Sequence, residues 1–170
     1  WLERVERGEV DRLLVSVPPR HGKSELISVH YPAWYLGRNP DRRVIHASYG
    51  SDLSATFSRR ARNLVRDSER YRAVFPGVTV AGDSQSVTQW EIAGRRGGLR
   101  SVGVGSGVTG YGADLALIDD PIRGAEAADS PVQRDAVWDW WTSDLLTRLH
   151  PSAAVVVVGT RWHDDDLIGR

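Results

Sequence analysis

Apolar positions along this chain fall into short unbroken runs, separated by stretches in which they recur every three or four residues. "RLLVSV" (12–17) is an apolar run ending in Pro18 and Pro19, which suits a buried strand. From Lys23 onward Leu26, Ile27, His30, Ala33 and Trp34 recur at helical spacing, with Pro32 expected to kink or restart the helix. "GRNPDRR" (37–43) is turn chemistry, and "VIHASY" (44–49) reads as a second strand. Ser51 or Asp52 is expected to cap a helix running to about Arg66, and "FPG" (75–77) breaks the chain again. "SVTQWEIAG" and "LRSVGVG" flank "RRGG" and predict a hairpin. The glycine-rich segment 102–114 must be loop in part. "LALIDD" (115–120) predicts a strand ending in carboxylates and stopped by Pro121. Ser130-Pro131 opens a helix with proline at its first position, and Trp138, Trp141, Leu145 and Leu149 share its predicted core face. "AAVVVVG" (153–159) is a fully apolar strand. Strands that alternate with helices and lack polar alternation predict an α/β fold: a mostly parallel sheet with helices on both faces.

Composition narrows this picture little. A chain of 170 residues can bury a real core, and 41% hydrophobic with 26% charged residues is ordinary for a globular domain. Formal net charge is zero, so any nucleic-acid surface would have to be local. Without cysteine there is no disulfide and no thiolate zinc site. No run approaches the ~20 apolar residues of a membrane span. The start "WLERVERGEV" lacks the apolar core of a signal peptide and an initiator methionine, so the chain is expected to be part of a longer one.

The candidate chemistry starts at "PPRHGKS" (18–24). Gly22-Lys23-Ser24 between a strand and a helix is the ending of a phosphate-binding loop, in which backbone N–H groups and a helix N-terminus surround a phosphate. Lys23 supplies a point charge to the β- and γ-phosphates, and the Ser24 hydroxyl is a Mg²⁺ ligand. Pro19, Arg20 and His21 complete the candidate nucleotide-binding set. The usual first glycine is absent, and Val17 stands at its position. His21 has two readings, a hydrogen-bond donor to phosphate or a loop-structural residue. At the end of "LALIDD", Asp119 is the candidate metal acid and Asp120 the catalytic acid that positions the attacking water. That second acid is commonly glutamate, so Glu126 is a candidate helper. A turn or helix cap is the alternative reading of Asp119-Asp120-Pro121. Gly159-Thr160-Arg161 places a hydroxyl and a cation where the third strand ends, at the edge where open α/β sheets bind ligands.

Taken together, "VSVPPRHGKSE", "TGYGADLALIDDPI" and "VVVVGTRWHDDDL" resemble the ATPase part of a phage terminase large subunit, across nearly all 170 residues. "PAWYLGRNPDRRVIHASYG" and "DWWTSDLLTRLHP" resemble it too. The resemblance implies a P-loop, RecA-like ATPase domain over 1–170, using ATP and Mg²⁺. It implies an activity that drives double-stranded DNA into a procapsid in the host cytoplasm. The partners it implies are DNA, a small terminase subunit and a portal protein, within a ring of identical subunits. It assigns Gly159, Thr160 and Arg161 to a coupling motif in which Thr160 senses the γ-phosphate. A nuclease part is expected downstream, outside this segment. The family's ring geometry implies an arginine from a neighbouring subunit. Near the glycine loop, where it is expected, the sequence reads "TGYG"; Arg95, Arg96, Arg100, Arg123 and Arg161 are the candidates.

Two rival functions remain at this stage, a helicase-like DNA-dependent ATPase and a non-catalytic prophage remnant that binds nucleotide or DNA. Three further features have plainer readings. Arg59, Arg62, Arg66 and Arg70 share a helical spacing that suits DNA phosphates, yet a solvated face pairing with Asp67 and Glu69 is the favoured account. Asp164, Asp165 and Asp166 read as a helix start rather than metal ligands. Of the seven tryptophans, Trp138 and Trp141 are assigned to packing, while Trp140 and Trp162 are left open.

Overall fold

A computed structural model describes all residues from Trp1 to Arg170. Seven strands form one sheet in the order β1-β7-β6-β2-β5-β4-β3. They are β1 (Arg12–Ser16), β2 (Arg43–Ser48), β3 (Val80–Gln85), β4 (Gln89–Ile92), β5 (Gly98–Gly103), β6 (Ala113–Asp119) and β7 (Leu149–Gly159). The pairs from β1 through β7, β6 and β2 to β5 are parallel; β5–β4 and β4–β3 are antiparallel. This is the expected α/β architecture. No helix is long and apolar enough to cross a membrane.

Both faces of β2, β6 and the latter half of β7 are covered, which is why their apolar runs are continuous, whereas β1 at the sheet edge leaves Leu14 exposed. Side chains alternate between the faces with period two. Val44, Leu115, Leu117, Val156 and Val158 point to one core, with Ile27, Tyr31, Leu36, Ala61 and Val65. These helical residues come from a segment of π-helix, Glu25–His30, continued by α2 (Tyr31–Arg38), and from α3 (Ser51–Asp67). The intervening positions Ile45, Ala47, Ala116, Ile118, Val155 and Val157 face the second core, with Val108, Trp140 and Leu145. Each fully buried aliphatic side chain contributes about 1.5–3 kcal/mol. The parity has a consequence for the site. Asp119 lies on the Leu115–Leu117 face, under the helix that follows the loop.

The remaining helices are short: α1 (Leu2–Glu6), α4 (Glu69–Val74), α5 (Gly124–Asp129) and α6 (Pro131–Asp139). Pro32 falls at the start of α2, where the π-helical turn ends, so the helix restarts there as expected. Several sequence expectations are corrected. Ser51 and Asp52 do not cap α3; Gly50 holds that position in extended backbone, and no side chain bonds there. Ser68 interrupts the helix with extended backbone, so Arg70 belongs to α4 and not to the face of Arg59, Arg62 and Arg66. Arg66 pairs with Asp67 at 2.8 Å, in keeping with a solvated face. After α6 the chain widens into a π-helical turn, Trp140–Leu145. Its longer repeat shifts the buried positions to Val137, Trp140 and Leu145, whereas Trp138 and Trp141 are only partly buried. Strand β3 was not expected, because "VAGDSQ" lacks an apolar pattern.

Candidate functional site

Register brings the candidate residues together. At the carboxyl edge Val158 pairs with Asp119, and Asp119 pairs with Ser48 on its other side. One position further along, Ser16 pairs with Gly159, the Asp120 N–H donates to the Val158 carbonyl at 2.8 Å, and the Tyr49 N–H donates to the Asp120 carbonyl at 3.1 Å. Four adjacent strands therefore deliver their ends to one rim, the edge at which open α/β sheets bind ligands.

The loop between β1 and the π-helical segment rises from this rim. Gly22 has φ 78 and Arg20 φ 64, so both sit in left-handed backbone. The His21 imidazole Nδ1 donates to the Pro19 carbonyl at 2.9 Å, which closes the loop on itself. The Leu26 N–H donates to the Gly22 carbonyl at 3.0 Å and begins the helix. Lys23 is drawn inward: its side chain is 8% exposed. Its Nζ donates to both oxygens of Asp120, at 2.9 and 3.0 Å, and to Thr160 Oγ1 at 3.2 Å.

Strand β6 stops at Asp119, and Asp120 turns out of it into left-handed backbone at φ 45. That conformation costs a non-glycine residue energy, least for Asp and Asn. It swings the carboxylate away from its neighbour and toward the lysine and β7. Asp120 Oδ1 also accepts the Thr160 N–H at 3.2 Å. A Cβ at Gly159 would meet the same oxygen at 3.4 Å, an ordinary van der Waals contact.

Asp119 lives in different surroundings. It is 1% exposed, and Ser28 Oγ donates to its Oδ2 at 2.7 Å. Its Oδ1 is buried without a partner, as is the hydroxyl of the adjacent Ser48. Burial raises its pKa above the usual carboxylate range, opposed by the Ser28 hydrogen bond and by the nearby Ser24 hydroxyl. Ser24 and Ser28 stand four apart at the start of the helix, on the side facing this carboxylate. Ser28 was missed in the sequence; its offset of four from Ser24 was the signal that pointed to it.

A cavity of about 280 Å³ opens over this constellation, lined by Pro19, Lys23, Asp120 and Thr160, together with Tyr49, Ile122, Arg123, Gly124 and Trp162. Sequence reasoning missed Tyr49, named Arg123 only as one of five candidates for a neighbouring subunit's arginine, and left Trp162 open. Glu126 is exposed in the first turn of α5 and does not line the cavity. Arg161 is committed elsewhere. Its guanidinium bonds to Asp166 at 3.0 Å and to the carbonyls of His163 and Asp164 at 3.2 Å. Segment 164–166 is turn rather than a helix start, because Asp166 gathers the backbone N–H groups of Trp162, Ile168 and Gly169 around its carboxylate. Arg95 pairs with Asp41 at 3.6 Å, and Arg100 donates to the Thr109 carbonyl at 3.0 Å beside Tyr111. The N–H of Arg96 donates to Asp41 at 3.1 Å. Trp140 is buried and donates to the Ser106 carbonyl at 3.0 Å.

The carboxyl edge of a mostly parallel α/β sheet thus gathers a lysine-bearing loop, two carboxylates and a threonine. The family described as terminase large subunit, T4likevirus-type, N-terminal, matches residues 14–167, and the chain belongs to that family. Its fold is similar to solved structures of the Thermus phage P74-26 large terminase ATPase domain and of an arginine-to-alanine mutant of that domain. Each is 17% identical, with a TM-score of 0.54 over 93% of this chain. The chain spans 62% of the length of the unmutated structure and 63% of that of the mutant. No curated protein matches it.

Proposed function

We propose that this chain is the Mg²⁺-dependent ATPase module of a phage DNA-packaging motor, acting in the host cytoplasm with double-stranded DNA, a small terminase subunit and a portal protein as partners. One observation carries the reading: Lys23, Asp120 and Thr160, from three separate segments, lie within hydrogen-bond distance of one another at the mouth of one cavity. Family membership supplies the motor context. The loop 19–24 takes the phosphates, with Lys23 and Arg20 as cations and the Gly22 backbone free of a Cβ.

The residues around Asp119 suit Mg²⁺. A buried carboxylate oxygen without a partner, beside the hydroxyls of Ser24 and Ser28, is the hard oxygen donor set that this ion takes. Asp119 and Ser24 would hold it, and when bound it supplies charge neutralisation at the phosphates. Lys23 is paired with Asp120 and Thr160. An arriving triphosphate competes for the lysine and releases both. Asp120 is then free to accept a proton from, and orient, the attacking water. Thr160, at the end of β7, loses a contact at the same moment. It thereby registers the γ-phosphate and passes the change through Gly159 and Arg161 to the turn held by Asp166.

The test is steady-state ATP turnover in the wild type and in Lys23→Ala, with circular dichroism to verify the fold. Turnover is expected to fall by on the order of 10²–10³, the scale of losing one preorganised charge-stabilising group. Undiminished turnover in a folded variant removes the loop from the mechanism.

A further inference from the structure

Within the cavity Lys23 is paired with Asp120 at 2.9 Å, so the lysine by itself brings no net positive charge to a polyanion. A triphosphate needs further cations there, and the carboxyl edge offers three arginines: Arg20, Arg123 and Arg161. Arg161 is spent on Asp166 and two carbonyls. Arg20 belongs to the loop itself. Arg123 lines the same cavity as Lys23, Asp120 and Thr160, only three residues beyond Asp120. Its guanidinium lies 5.9 Å from the centroid of the Tyr49 ring. Tyr49 is itself tied to Asp120 through the backbone bond at 3.1 Å. An aromatic face holds a guanidinium in place without neutralising it, so the charge stays available to a ligand.

We propose that Arg123 binds the terminal phosphate of a nucleotide held by its own chain, steadied by Tyr49. The inference rests on the nucleotide-site reading above and extends it. The site carries a second, in-chain arginine that discriminates triphosphate from diphosphate. Pro121 and the buried Ile122 anchor the short turn that carries Arg123 to the cavity wall. As a planar fork the guanidinium suits two phosphate oxygens at once, which an ammonium cannot match.

The test is a titration of the full chain with Mg²⁺ and either a non-hydrolysable ATP analogue or ADP. Arg123→Ala is expected to weaken the triphosphate analogue by about tenfold, the scale of one charged hydrogen bond, and to leave ADP within about twofold. Arg123→Lys should recover part of the loss, and Tyr49→Ala should give a smaller loss of the same selectivity. The effect should not depend on protein concentration. Equal affinities for both nucleotides in wild type and Arg123→Ala overturn the inference alone. Equal losses for both nucleotides overturn it too, as does an effect confined to concentrations at which the chain self-associates, since the arginine then serves a neighbour. A wild-type chain that binds neither nucleotide overturns the nucleotide-site reading along with it.

Discussion

Strand β6 carries an aspartate near each end, and the two have opposite fates. Asp114, at the amino end, has both oxygens in use: it accepts the Arg43 N–H at 2.8 Å and pairs with His150 Nδ1 at 2.9 Å. It is partly exposed and ties β2 to the start of β7. Asp119, at the carboxyl end, is buried with one oxygen bonded to Ser28 and the other without a partner. Beyond it the backbone turns left-handed at Asp120. A satisfied carboxylate stabilises a fold; a buried, half-satisfied one costs about 1–3 kcal/mol and persists where a ligand completes it. The same strand therefore holds one residue type in two settings, distinguished by what its second oxygen meets.

Substitutions at the two positions should separate in kind as well as size. The largest effect is expected at the carboxyl end: Asp119→Asn should lower Mg²⁺-supported ATP turnover by on the order of 10² or more, measured at fixed nucleotide. The same change should stabilise the ligand-free protein by about 1–3 kcal/mol in urea denaturation, because an amide is cheaper to bury than a carboxylate. Its pH dependence gives a sharper sign. The folded pKa of Asp119 is raised, so between its unfolded value and that raised value the native state binds more protons than the unfolded state. Stability should therefore fall as pH rises through that window, and Asp119→Asn should remove that part of the slope. A slope that survives the substitution would assign it to another group.

Next in size, Asp114→Ala should destabilise by about 1–2 kcal/mol, since it leaves the Arg43 N–H without its acceptor, and should leave nucleotide affinity unchanged. Smallest is Gly159→Ala. A methyl 3.4 Å from Asp120 Oδ1 makes an ordinary contact, so turnover should change by less than about threefold, with less than about 1 kcal/mol lost in stability. If Gly159→Ala costs more stability than Asp114→Ala, the division between the two ends of the sheet fails.

Much of this could be seen in the sequence because it is local. Continuous apolar runs marked β1, β2, β6 and β7, and Gly22-Lys23-Ser24 marked the loop. What stayed hidden depends on partners remote in the chain. Ser28 looks like an ordinary helical serine until β6 is laid beneath it. Tyr49 and Arg123 meet only because β2 and β6 are neighbours. The pairing of Lys23 with Asp120 rather than Asp119 follows from a left-handed turn that an aspartate signals only weakly. Helix registers failed for another reason. A π-helical turn at Trp140–Leu145 breaks the 3.6-residue repeat on which the expected face of Trp138 and Trp141 rested.

The central claim is that the two ends of β6 differ because only one of them completes a magnesium–nucleotide site. The direct measurement is the Mg²⁺ concentration for half-maximal ATP turnover in the wild type, Asp119→Asn and Asp114→Asn. The account predicts a shift above tenfold for Asp119→Asn and none beyond twofold for Asp114→Asn. Equal shifts, or a wild-type Mg²⁺ requirement retained by the Asp119 variant, would contradict it.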